Sequence, residues 1–340
     1  MPKSVLRWVA VGLAVSSAVV VIISLYSGVT FSDLARLGYL SFGLAAAVST
    51  VKLFVQVLRF KVIVGGLTGD PKPDMKGSAI ARMASEFLAL STPAMIGGPV
   101  LRAAWLSGKG VDGGKALWVG YFEVLLDVYV GSTLALISAW LAFAMGATVI
   151  ALTIAVIATI LIIGYTFVFI VPAIKSIKVP HRLFTLAAFL VGGPRATNIY
   201  LHAVVGSLNF SLAAHEIMNR NTRSMLVKAV GLTIVEDLLA GTALWIVLNA
   251  AGLKIDVLSA TFLAFGALTI AAIPISIGGS GITELTIQSY LTLVYGFSSW
   301  AVIVLWRIAS FQVVLAVTGI AFLLFVRKST KNVSKATTKK

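Results

Sequence analysis

Seven charged residues stand out inside apolar stretches of the chain, where charge is expensive: Arg102, Glu123, Asp127, Glu236, Asp237, Glu284 and Arg307. A charge at the centre of a hydrocarbon layer costs at least ~2.5–3.5 kcal/mol on insertion scales. Each of these residues therefore needs a partner or a function. Glu123 and Asp127 stand four apart and share one helix face. Two carboxylates facing one way repel each other unless a cation sits near. Arg102 is the natural cation for them, and Arg307 serves either Glu284 or the Glu236-Asp237 pair. Buried ion pairs that fix helix register are one reading. For the set as a whole, the lining of a polar cavity is the stronger one.

Two glycine clusters offer a second kind of chemistry. Gly97-Gly98-Pro99 precedes the apolar run from Val100, and Gly278-Gly279-Ser280-Gly281 precedes that from Ile282. Both positions expose backbone N–H groups at the start of a helix, which attract anions such as phosphate. The alternative is that glycine permits close helix packing. A phosphate-bearing headgroup would use Arg102 together with these amides.

The elements that hold these residues follow from composition. Of 340 residues, 59% are hydrophobic and 11% charged, and mean hydropathy is +1.01. Soluble domains carry about 25% charged and about 45–50% apolar residues. The numbers exclude a soluble enzyme, a disordered chain and a fibrous repeat, and leave an all-α polytopic membrane protein. Zero Cys excludes disulfides and thiolate metal sites, and the scattered His181, His202 and His215 suggest no metal centre. No cofactor is implied. The net charge of +15 lies mostly between and after apolar runs. That pattern fits cytoplasmic loops against anionic lipid better than nucleic acid.

Spans of about 20 apolar residues are expected at Trp8–Tyr26 (an uncleaved first span), Leu40–Val64, Ala116–Trp140, Thr148–Val171, Val227–Leu248 and Ser299–Val326. In the second, Lys52 and Gln56 share a face that must look into protein or water, while Arg59 and Lys61 snorkel to the interface. Ile199–Ala214 either spans or lies partly buried. Ser78–Leu90 and Val100–Leu106 are too short to cross and are joined by a Pro/Gly break, as are Leu258–Ile273 and Ile282–Val294. Each pair reads as a re-entrant hairpin, tolerated only inside protein or beside a wet cavity. The expected architecture has about six to eight transmembrane helices and two inverted hairpins. The basic ends place both termini in the cytoplasm of a multi-pass cell-membrane protein.

Pro93-Ala94-Met95-Ile96-Gly97-Gly98 and Pro274-Ile275-Ser276-Ile277-Gly278-Gly279 share the pattern P-x-x-I-G-G, 181 positions apart. A charge follows each, Arg102 and Glu284, and one of opposite sign lies further on, Glu123 and Arg307. The pattern predicts an inverted repeat, with copies over about 40–172 and 227–326, inside a single membrane domain over about 1–326. Residues 327–340 form a basic cytoplasmic tail.

Enzyme readings find little support. Gly278-Gly279-Ser280-Gly281 resembles the nucleophile motif of rhomboid proteases, but no His follows His215 to act as base. His215-Glu216 lacks the second His of HExxH, since residue 219 is Asn. No P-loop or dinucleotide fingerprint is present, so no catalytic residue is assigned.

Pro93-x-x-x-Gly97-Gly98 with Arg102, Gly110 and the Glu123…Asp127 helix resembles the transmembrane region of the lysylphosphatidylglycerol synthase/flippase family (multiple peptide resistance factor). Pro274-x-x-x-Gly278-Gly279 with Glu284 and Arg307-Ile308-Ala309-Ser310-Phe311 resembles its second motif. The chain departs from the pattern at Pro99 and Val124, where members often carry an acidic residue and an Arg. The resemblance implies a flippase-like membrane domain that handles lipid headgroups. With the chain ending soon after its last span, a soluble aminoacyl-transferase domain is expected to be absent. The expected substrate-binding residues are Arg102, Gly97, Gly98, Glu123, Asp127, Glu236, Asp237, Gly278, Gly279, Ser280, Glu284 and Arg307. The expected partners are membrane lipids, with a lipid-modifying enzyme or glycosyltransferase as a further one and homo-oligomerisation open. An ion-coupled solute transporter and a non-transporting membrane partner are the rival readings.

Overall fold

The computed structural model describes residues 3–69, 74–92, 95–175, 185, 193–219, 221–273 and 278–337. Pro93, Pro274, Ile275, Ser276, Ile277 and His181, all invoked above, lie outside them. No strand occurs among the described residues. In a hydrocarbon layer a helix satisfies its backbone groups internally, and these apolar segments have no other way to do so.

The chain opens with α1 (Lys3–Ser27), short α2 (Phe31–Arg36) and α3 (Tyr39–Thr68). Asp74 then caps α4 (Met75–Leu90), accepting from the Lys76 and Gly77 amides, and α5 (Gly97–Ser107) follows. Asp112 caps the 32-residue α6 (Gly113–Ala144) in the same way. α7 (Thr148–Tyr165) continues through a π-helical turn at Thr166–Ile170 into α8 (Val171–Ile174). The second half comprises α9 (Gly193–Asn219), α10 (Arg223–Ala250), α11 (Val257–Ala271) and α12 (Ile282–Tyr295). Last come α13 (Trp300–Arg307), a π-helical turn at Ile308–Gln312 and α14 (Val313–Thr337).

Among the described residues, five helical stretches are long and apolar enough to cross a membrane: Tyr39–Thr68, Gly113–Ala144, Thr148–Ile174, Arg223–Ala250 and Trp300–Arg327. Val257–Ala271 is shorter but apolar. The protein is an all-α polytopic membrane protein. Its outer surface agrees: Val149, Leu152, Val156, Ile160 and Ile163 of α7 are all exposed, a stripe suited to lipid and not to water.

α3 lies along α10, α4 packs on both α5 and α14, and α6 packs against α5, α7, α9 and α11. Small residues make these approaches close. A Cβ on Gly98 would lie 2.9 Å from both the Ala89 Cβ and the Ser85 carbonyl oxygen, and one on Gly120 would lie 2.8 Å from the Pro99 carbonyl oxygen. Gly120 thus lets α5 settle onto α6. Apolar packing divides into three regions, around Leu244–Leu263, Phe60–Trp118 and Phe87–Phe322. The charged residues gather among them.

Candidate functional site

Each Gly-Gly motif follows the end of one helix and leads into the next. α4 stops at Leu90, and the Gly97 amide donates to Thr92 Oγ1 at 3.0 Å as α5 begins. α11 stops at Ala271, and Gly278, Gly279 and Gly281 carry φ of +58°, +69° and +89° before α12. These left-handed angles suit glycine. The Gly281 amide donates to Glu284 Oε2 at 2.7 Å, so Glu284 caps its own helix. The two breaks come together: a Cβ on Gly278 would lie 3.0 Å from the Leu90 carbonyl oxygen.

The charges that follow the two Gly-Gly motifs pair within each half. Arg102 Nη1 lies 3.3 Å from Glu123 Oε2, and Arg307 Nε lies 2.8 Å from Glu284 Oε1. Positive and negative positions are exchanged between the halves. Arg102 also donates to the Gly120 carbonyl at 3.0 Å and to Ser85 Oγ at 3.3 Å. Arg307 donates to the Gly278 carbonyl at 2.8 Å and Ser280 Oγ at 3.1 Å, and stacks 4.0 Å above the Phe311 ring. Of the two partners open to Arg307, the structure selects Glu284.

The first pair belongs to a larger network. Glu123, wholly buried, lies 3.3 Å from Arg59 Nε, 3.1 Å from Arg82 Nε and 3.3 Å from Arg102 Nη1. Its Oε2 meets two of these cations off the hydrogen-bonding direction, as charge contacts. Arg59 is the hub. It is 0% exposed, pairs with Asp127 through both Nη atoms, lies 3.0 Å from Glu236 Oε2 and donates to Thr233 Oγ1 at 3.0 Å. Gln56 Nε2 donates to Glu236 Oε1. Arg82 also holds Glu86 at 2.8 Å, one turn along α4. Five helices, α3, α4, α5, α6 and α10, thus converge on one ionic cluster.

Arg59 corrects an expectation. It was expected to snorkel to the interface, but four polar partners hold it in the protein interior. Arg82 and Glu86 were not foreseen at all. Their signal is present, an opposite-charge pair at i, i+4 on the Ser78–Leu90 segment. Arg102 was matched to both Glu123 and Asp127; it pairs with Glu123, while the ion-pair partner of Asp127 is Arg59.

Exposure across the cluster is uneven. The Asp127 side chain is 44% exposed although Asp127 lies midway along α6. Glu236 and Asp237 are buried, and Asp237 Oδ2 and Gln56 Oε1 have no hydrogen-bond partner. Among the described residues, no three His, Cys, Asp or Glu side chains converge as metal ligands. Elsewhere, Lys115 pairs with Glu216 at 2.7 Å, and His215 Nδ1 contacts the Ala173 carbonyl at 3.1 Å, fixing α9 against α6 and α8.

No curated protein shows a significant match to the chain. The family described as the lysylphosphatidylglycerol synthase TM region matches residues 9–318, a stretch that takes in both Gly-Gly breaks and every member of the ionic cluster. The chain therefore belongs to the lysylphosphatidylglycerol synthase TM region family.

Proposed function

We propose that the protein is flippase-like and moves a lipid headgroup, anionic, aminoacylated or polyprenyl-phosphate-linked, between leaflets without catalysing a covalent step. One observation carries the reading: Asp127, ion-paired to buried Arg59, is half exposed at the middle of a span. A carboxylate opening onto lipid tails there is strongly disfavoured. An opening lined by water and polar headgroups is not. Behind it lie Arg59, Arg82 and Arg102, a set of guanidinium groups suited to planar phosphate recognition.

In this reading Arg102 and its neighbours hold the phosphate, aided by amides at Gly98 and at Gly278, Gly279 and Ser280. Glu123, Asp127, Glu236 and Glu284 balance the arginines or receive a cationic headgroup. The α4–α5 and α11–α12 pairs enter from opposite faces as re-entrant hairpins, in a cell-membrane protein with cytoplasmic termini.

The test is reconstitution into phosphatidylcholine vesicles carrying trace fluorescent phosphatidylglycerol, lysyl-phosphatidylglycerol or polyprenyl phosphate. Wild type is expected to move at least one of these faster than empty vesicles, and Arg102→Ala to slow it. Wild-type rates equal to those of empty vesicles for all three lipids refute the proposal.

A further inference from the structure

The charges of the cluster can be matched one against another. Glu86, Glu123, Asp127 and Glu236 all pair with Arg59, Arg82 or Arg102. Lys52, half-buried on α3, adds a fourth cation within electrostatic reach of Glu86, Glu236 and Asp237. Four carboxylates then face four cations. Asp237 is a fifth carboxyl, 6% exposed, and makes no ion pair among the described residues.

Asp237 Oδ2 is buried with no hydrogen-bond partner. Gln56, 3% exposed, donates through Nε2 to the neighbouring Glu236, and its Oε1 likewise has no hydrogen-bond partner. The groups that act electrostatically on Asp237 are Glu236 on its own helix, Asp127 from α6, and Arg59 and Lys52 from α3. α11, packed on its other side, carries no ionisable side chain. Arg307 of α13 is committed to Glu284. A buried carboxylate whose Oδ2 meets no donor and which makes no ion pair of its own is costly, and one proton removes that charge.

We propose that Asp237 is held as the protonated acid and is the exchangeable proton site of this cluster, so that proton binding there and anionic headgroup binding at Arg59, Arg82 and Arg102 favour each other. On release, the carboxyl O–H bond breaks, the proton passes to water, and the cluster gains one negative charge. That charge opposes a phosphate nearby. By reciprocity, a bound phosphate holds the proton. The coupling rests on the lipid-headgroup reading; the proton site does not.

The experiment uses the full chain in phosphatidylcholine nanodiscs. Infrared spectra in H2O and D2O are expected to show the carbonyl stretch of a protonated carboxylic acid at neutral pH, lost in Asp237→Asn. Asp237→Glu, which keeps an acid, is expected to shift the band and retain it, and it serves if the Asn variant does not fold. Phosphatidylglycerol binding by wild type should weaken about tenfold as the band titrates away at alkaline pH, and in Asp237→Asn should become independent of pH. Absence of the band in wild type, or an undiminished band in Asp237→Asn, overturns the proton site. Thermal stabilisation by sodium over choline chloride that disappears in Asp237→Asn also overturns it, in favour of a metal cation. A band lost in Asp237→Asn, in a protein that moves no lipid, leaves the proton site standing and refutes the flippase reading alone.

Discussion

Removing the charge of Glu123 is the sharpest perturbation of the ionic cluster. Its carboxylate is wholly buried and lies 3.1–3.3 Å from nitrogens of Arg59, Arg82 and Arg102. At an effective dielectric constant of about 20, each such contact is worth ~5 kcal/mol of Coulomb energy. Desolvation and repulsion among the three guanidinium groups cancel much of the sum. Glu123→Gln keeps the shape and removes the charge, leaving buried cations short of a counter-ion. Breaking a buried pair this way costs ~3–5 kcal/mol. At the low end of the size scaling, ~2 °C per kcal/mol, the melting temperature should fall by ~6–10 °C. The assay is thermal unfolding in nanodiscs, run as a double-mutant cycle with Arg82→Met. Arg82→Met removes one of the stranded cations, so the double variant should recover part of the loss, with a coupling of ~0.5–3 kcal/mol. A Glu123→Gln melting temperature equal to wild type, or strict additivity in the cycle, would refute the claim that one carboxylate neutralises several arginines.

Two further outcomes follow from the Gly-Gly breaks. Gly98→Val places a side chain 2.9 Å from the Ala89 Cβ and the Ser85 carbonyl oxygen, both carried by the α4 backbone. The α4–α5 pair must part, at ~1–3 kcal/mol, and an unchanged melting temperature would remove the packing role assigned to this glycine. Arg307→Lys keeps a charge for Glu284 but loses the fork that reaches the Gly278 carbonyl and Ser280, and the stack on Phe311. It should melt below wild type by ~1–3 kcal/mol yet above Arg307→Met, which strands Glu284; equal stability of Lys and Met variants would show that the pair carries no weight.

Much of this protein is legible without coordinates, because lipid as a solvent imposes local rules. A stretch of about 20 apolar residues has to be helical to satisfy its backbone in hydrocarbon, so the all-α class and the long spans follow from composition alone. The helix break at Gly278-Gly279 is equally local, since it turns on the backbone freedom of glycines at positive φ. The cost of an intramembrane charge is local too. That is why Arg102, Glu123, Glu284 and Arg307 stand out in the sequence, and why Arg102–Glu123 could be paired in advance.

What the sequence withholds is who meets whom. Arg59 could as well have reached the interface as the interior, because its depth depends on how α3 lies against α6 and α10. Arg82 and Glu86 become part of the cluster only once α4 is covered by α5 and α14. Asp237 shows the same limit from the other side: its position in a span is written in the chain, but that it makes no ion pair emerges only from the packed structure. An ion pair is a distance between residues remote in sequence, and packing alone sets that distance.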